Sequence, residues 1–176
     1  MKIAKPASCA GCPLHSASST YTPDEVVPRA KVYVLGSGDT AHELWDTVFF
    51  PLAGLIRGEN VSIGQAIRCE GSDVLNPAAL REAAVHCARA HSRPPASTTL
   101  VVAQGERAWK TATGSPGLPL NDWRGFLAPV HHAGCPPVYG VLSLEELRKQ
   151  PELTLPSKLD WARIPKLLSG EFPKPF

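Results

Sequence analysis

Four cysteines carry the first chemical signal in this chain. Cys9-Ala10-Gly11-Cys12-Pro13-Leu14 sets two thiols on a tight Gly-Pro loop, and Cys69 and Cys87 follow far downstream. Two close thiolates can grip one metal centre, and two later ones borne by regular elements can complete a four-thiolate shell, tying distant parts of the chain together. Several chemistries fit such a set. A zinc ribbon brings its ligands as two close pairs, whereas Cys69 and Cys87 are split by seventeen residues, which weakens zinc. Structural disulfides need an oxidising compartment, and Met1-Lys2-Ile3-Ala4-Lys5-Pro6 has no apolar run of the secretory kind, so a reducing, cytoplasmic setting is expected. An iron-sulfur cluster is the favoured reading, with zinc and unrelated buried thiols left as alternatives. Cys135, in Gly134-Cys135-Pro136-Pro137, reads as a spare thiol in a loop.

The elements that must position these thiols follow from size and pattern. A chain of 176 residues is expected to form one domain over residues 1–176, large enough for a core without staples. A net charge of +2 and a pI near 8.3 permit nucleic-acid binding without arguing for it, since a local patch matters more than the sum. No apolar run approaches the ~18 residues of a membrane span, so no membrane partner is expected. Prolines number 18, yet the hydrophobic fraction is an ordinary 43%; long ordered loops between short elements fit this better than disorder.

Lys31-Val32-Tyr33-Val34-Leu35 is a short apolar run ending in Gly36-Ser37-Gly38, which predicts a buried strand entering a tight turn. Val61 to Ile67 reads as a second strand that delivers Arg68 and Cys69 at its end. Asn76-Pro77 predicts a cap and first turn, with Leu80, Ala84, Val85, Cys87 and Ala88 marking the buried face of a helix to about Ala90. Thr98 to Ala103 reads as a third strand and Gly105 to Thr113 as the short helix after it. Phe126 to Val130 and Pro137 to Val141 read as two late strands, and Ser143-Leu144-Glu145-Glu146 as a capping box that opens a helix to about Lys149. From Pro151 onward a proline-rich tail with one helical piece near Lys158 to Arg163 is expected. This order implies an α/β domain, a three-layer α/β/α sandwich with a largely parallel central sheet.

The set of motifs resembles one known family. Cys-x2-Cys-Pro-Leu at the start, a Gly turn after the first strand, Phe49-x-x-x-Ala53-Gly54, a strand ending in Arg68-Cys69, a helix carrying Cys87 and a late Trp123-Arg124-Gly125 are similar to the iron-sulfur, family 4 branch of the uracil-DNA glycosylase superfamily, over roughly Cys9 to Pro151. The resemblance implies a monomeric DNA-binding protein in which Cys9, Cys12, Cys69 and Cys87 ligate a structural 4Fe-4S cluster. It places Gly36 in the loop that borders the base, Phe49 as the ring that stacks on the extruded base, Gln65 where the family reads the base edge with an Asn, and Arg124 near the DNA backbone.

Departures from the pattern reshape the expected chemistry. The family's Gly-Glu-x-Pro-Gly loop is Gly36-Ser37-Gly38-Asp39 here, so Asp39 stands in for the carboxylate that handles the attacking water. Asp39-x-x-His42 also resembles the Asp-Pro-Tyr-His loop of other uracil glycosylases, without its Pro and Tyr. Relatives carry a late His before Pro, and Tyr139-Gly140-Val141-Leu142-Ser143 has none. Breaking the glycosidic bond leaves positive charge on the sugar and negative charge on the base, so Asp39 serves the first and His42 or a backbone N–H the second. Gln in place of Asn moves the reading amide by one methylene, which points away from plain uracil to a modified, phage-type pyrimidine and to a role in antiviral defence. The alternative is a catalytically degenerate DNA-binding or scaffolding module of a viral replication complex.

Each of these residues also has an ordinary structural reading. Asp39 can cap the segment that follows it, His42 can lie at the surface, and Phe49, Phe50 and Trp45 can simply be core. Gln65 can be a polar side chain on an exposed strand face. Arg57, Arg68, Arg93 and Arg124 can be solvated or bind phosphate.

Overall fold

The computed structural model describes residues 4–17, 21–38, 43–69, 76–91, 94–115, 117–128 and 135–171. Four strands form the sheet: β1 (Val32–Gly36), β2 (Val61–Gln65), β3 (Leu100–Gln104) and β4 (Val138–Val141). Their order is β2-β1-β3-β4, and every neighbouring pair is parallel. Short runs rich in Val, Leu and Ile suit this place, because a parallel sheet is covered on both faces and its strands are buried along their whole length. β1 and β3 are fully buried, as expected.

Helices connect and cover the strands: α1 (Leu14–Ala17), α2 (Phe50–Leu52), α3 (Pro77–His91), α4 (Glu106–Thr113), α5 (Leu120–Trp123), α6 (Leu144–Lys149), α7 (Thr154–Ala162) and α8 (Ile164–Leu168). Adjacent residues of β4 show which helices lie on which side. A Cβ added at Gly140 would meet Leu120 Cδ1 at 2.5 Å and Trp109 Cε3 at 2.9 Å, so α4 and α5 press on that face. Tyr139, which points the other way in a pleated strand, donates its hydroxyl to the Asp160 carbonyl of α7 at 2.9 Å. The protein is therefore α/β with a four-stranded parallel sheet and helices on both sides, an arrangement compatible with a three-layer sandwich.

The capping box at Ser143 forms as expected: Glu146 N–H donates to Ser143 Oγ at 3.2 Å and Ser143 N–H to Glu146 Oε2 at 2.7 Å. Two expectations need correction. Phe126 to Val130 is not a strand where it is described: Leu127 makes a single antiparallel bridge to Tyr139 and Ala128 N–H donates to the Val138 carbonyl at 2.7 Å, after which Pro129 lies outside the described residues. The tail is more ordered than its prolines suggest. Pro151 and Pro165 occupy the first turns of helical segments, where the missing N–H costs nothing, and α7 and α8 bury Trp161, Ile164 and Leu167 in the main core.

α7 is fastened by charge as well as by packing. Asp160 is 5% exposed and lies 3.4 Å from Arg124 Nη1 and 4.0 Å from Arg163 Nη1. Burial pushes its carboxyl above the usual aspartate range in spite of both guanidinium groups. A carboxyl with a raised folded pKa holds its proton more tightly in the folded than in the unfolded chain, so its contribution to stability is lost as pH rises through that pKa. The stability of the native protein relative to Asp160→Asn should thus fall as pH rises above the ordinary aspartate range, measured as urea midpoints; a difference that grows with pH would contradict the assignment.

Candidate functional site

The loop that carries Cys9 and Cys12 is built from successive tight turns. Pro6 precedes a 3-10 turn, Ala7–Cys9, in which Cys9 N–H donates to the Pro6 carbonyl at 2.9 Å. Cys12 N–H then donates to the Cys9 carbonyl at 3.1 Å and His15 N–H to the Cys12 carbonyl at 2.9 Å. Gly11, between the cysteines, has φ +83°, a backbone state that side chains rarely adopt. Lys5 closes the loop by donating its ammonium to the carbonyls of Leu14, at 2.7 Å, and His15.

Three other segments converge on this loop. Tyr21 pairs with Cys69 in an antiparallel bridge, and Thr22 N–H donates to the Arg68 carbonyl at 2.7 Å. Cys12, Leu14, Ile67, Cys69 and Ala83 form a small core of their own, apart from the main one. α3 contributes Cys87 and is tied down where His86 Nε2 meets the Ser8 carbonyl at 2.8 Å. Cys9, Cys12, Cys69 and Cys87 are all buried and outside any disulfide, at 4, 7, 7 and 3% exposure, while Cys135 is exposed.

These four thiols are close enough to sense one another electrostatically. Burial raises the Cys9 thiol pKa, and the neighbouring Cys87 and Cys12 add to it. Burial likewise raises Cys87, with Cys12 and Cys69 adding, while a hydrogen bond from the Arg68 backbone and the Arg68 charge pull the other way. Lys5 and Arg68 thus place positive charge beside a set of groups that become anionic when they ligate a metal. Among the described residues, no three His, Cys, Asp or Glu side chains are arranged to hold a single metal ion.

Arg68 joins this region to the sheet. It is 2% exposed and makes a bidentate pair with Asp24, Nε to Oδ1 at 2.8 Å and Nη2 to Oδ2 at 2.7 Å. Tyr33 of β1 donates to the same carboxylate at 3.0 Å, and burial followed by the Asp24 charge pushes its phenol pKa up. Arg68 is therefore neither solvated nor aimed at phosphate, and Arg57 pairs with Glu25 and Asp46, each at 2.9 Å. Asp24 and Tyr33 carry no motif. Asp24 sits in a polar arm without periodicity, and only its position opposite Arg68 in space reveals it.

The residues expected at the base pocket are placed unevenly. Gly36 and Gln65 end β1 and β2 and are register partners. Gln65 is half-buried at the carboxyl edge of the sheet, not on an exposed strand face. Asp39 and His42, like Arg93, lie outside the described residues. Phe49 closes a π-helical turn, Trp45–Phe49, and is 3% exposed. Its ring centroid is 4.8 Å from Trp45 and 5.9 Å from Trp161, so the expectation of an open ring for base stacking is replaced by a core aromatic. Arg124 is likewise taken up by Asp160 rather than by a ligand, because a buried carboxylate needs a counter-charge.

No protein-family model matches this chain, and no curated protein matches it. No helix among the described residues is long and apolar enough to cross a membrane.

Breaking the Arg68 pair isolates a buried charge. Arg68→Met should cost about 3–5 kcal/mol of unfolding free energy, and Asp24→Leu added to it should recover part of that loss. Urea denaturation of both variants checks this; a single variant within about 1 kcal/mol of the native protein would show that the pair is not a structural link.

Proposed function

We propose that the protein is an iron-sulfur DNA glycosylase of the uracil-DNA glycosylase type, acting on a flipped and modified pyrimidine. The observation that carries this reading is the meeting of Cys9, Cys12, Cys69 and Cys87 in one buried neighbourhood, with Cys87 held by the Arg68 backbone. A set of four thiols suits iron and sulfide. A mononuclear zinc needs its sulfurs about 3.8 Å apart, from bonds near 2.3 Å, whereas a 4Fe-4S cluster takes one thiolate on each of four irons in a wider shell. Bound there, the cluster would supply a cross-link between the N-terminal loop, the end of β2 and α3, with no part in bond cleavage.

The architecture supports the same reading, since a parallel sheet covered by helices on both sides is what the family resemblance implies. In α/β sheets ligands bind beyond the carboxyl ends of the strands, where the chain order reverses. With strand order β2-β1-β3-β4, that reversal lies between β1 and β3. Gly36 ends β1 at this point, and Asp39 and His42 follow it within six residues.

The chemistry asked of the chain is modest. The Asp39 carboxylate orients water and stabilises the positive charge that develops on the sugar. His42 or a loop N–H donates to the base oxygen as negative charge gathers there. Gln65 offers an amide to the base edge from the end of β2. A modified pyrimidine that leaves more readily compensates for the missing late His.

A scaffolding module is the second reading, favoured by one observation. The segment corresponding to the family's late motif is used structurally, with Tyr139 bound to α7 and Ser143 capping α6. The two separate on DNA duplexes containing uracil, 5-hydroxymethyluracil or glucosylated hydroxymethylcytosine, assayed for alkali-labile abasic sites. An enzyme forms such sites in at least one duplex, and Asp39→Asn lowers the rate by on the order of 10²–10⁴ without changing DNA affinity. No abasic sites in any duplex, or an Asp39→Asn variant as active as the native protein, would overturn the enzyme reading.

A further inference from the structure

The loop that leaves β1 carries a single side chain before it reaches Asp39. Gly36 and Gly38 flank Ser37, and Gly38 has φ +142°. Glycine restrains the backbone less than any other residue, so a side-chain anchor for this loop has to come from Ser37. Its hydroxyl is engaged both as donor and as acceptor. Ser37 Oγ donates to the carbonyl of Gln104, the last residue of β3, at 2.8 Å and accepts from the Ala108 N–H at 3.1 Å.

The second bond is a helix cap supplied from another segment. Ala108 is the third residue of α4, whose N–H a capping side chain ordinarily accepts. The N-cap itself is Gly105, with φ +86° and no side chain to offer. Ser37 does this work from 71 residues away in the sequence. The fit is close, since a Cβ added at Gly105 would meet Ser37 Oγ at 2.8 Å and Ser143 Cβ at 2.9 Å. The loop after β4 joins the same junction: Glu146 Oε1 accepts from the Glu106 N–H at 3.0 Å, while its Oε2 closes the Ser143 capping box. The carboxyl ends of β1, β3 and β4 thus meet at the start of α4, and Ser37 is the part that β1 supplies.

Covalent geometry keeps the Cα of Asp39, two residues on, within about 7 Å of the Ser37 Cα. Misplacing a reacting group by about 1 Å can cost on the order of 10² in rate. We propose that Ser37 is a positioning residue: by capping α4 from the loop after β1, its hydroxyl fixes the point from which Asp39 reaches the sugar and the attacking water. The proposal rests on the glycosylase reading for the role of Asp39.

The test compares full-length native protein with Ser37→Ala, Ser37→Thr, Asp39→Asn and the double variant Ser37→Ala/Asp39→Asn, on the duplexes used above. Rates of abasic-site formation are taken at limiting and saturating DNA, and deuterium exchange at the Ala108 amide reports whether the cap is present. Ser37→Ala should stay folded, melt roughly 2–8 °C lower, lose protection at Ala108, and show kcat reduced about 10–100-fold with KM and DNA affinity unchanged. Ser37→Thr keeps the hydroxyl, and its rate should follow its Ala108 protection. Added to Asp39→Asn, Ser37→Ala should slow the reaction no further, because residues that act through one group are not additive. The proposal is overturned if Ser37→Ala is as fast as the native protein, if it loses DNA affinity rather than kcat, if it slows Asp39→Asn by the same factor as the native protein, or if Ser37→Thr keeps Ala108 protected at the rate of Ser37→Ala. Native protein that forms no abasic sites sinks the enzyme reading and this proposal with it. Abasic-site formation that Ser37→Ala leaves unchanged sinks this proposal alone.

Discussion

The arrangement depends on one closure, the folding of the N-terminal loop onto the end of β2 and the side of α3. Without it, Cys9 and Cys12 would sit on a short irregular segment with almost no apolar surface to bury. Three interactions of the polypeptide hold it: Lys5 across the ends of the loop, His86 against Ser8, and the buried Arg68–Asp24 pair behind Cys69. An isolated buried ion pair is weak support for stability and strong support for a particular geometry, since misplacing either partner strands a charge. Arg68 links the two ends of this region. Its side chain reaches Asp24 and, through that carboxylate, Tyr33 of the central strand, while its backbone reaches Cys87.

The same strand that leads to the cysteine region also faces the other candidate centre. β2 ends at Gln65 on the carboxyl edge of the sheet and runs within four residues to Cys69. A centre that fixes Cys69 therefore fixes the register at which Gln65 stands beside Gly36. The coupling is mechanical: one short segment is pinned at both ends. On the proposed reading, a structural cluster would bear on base recognition without electron transfer.

Much of this was legible in the sequence where local chemistry decides structure. The strands at Val32, Val61 and Leu100, the helix opened by Asn76-Pro77 and the Ser143 capping box follow from hydrophobic runs and end signals, and the structure has them. The tail is less legible: its prolines suggest one helical piece, whereas Pro151 and Pro165 each start a helical segment. Phe49 was placed at a stacking site on the strength of a motif. Its burial depends on Trp161, more than a hundred residues away, which local pattern cannot show. Asp24 and Tyr33 are hidden for the same reason: each becomes informative only beside a partner from another strand or loop.

The central claim is that four sulfurs from three segments share one inorganic centre, and iron is its most direct measure. Protein purified without oxygen should be brown and carry about four irons per chain. Serine at Cys9, Cys12, Cys69 or Cys87 should lower that content, and serine at Cys135 should leave it unchanged. Colourless, iron-free protein under those conditions, or iron retained in full by all four single variants, would contradict the account.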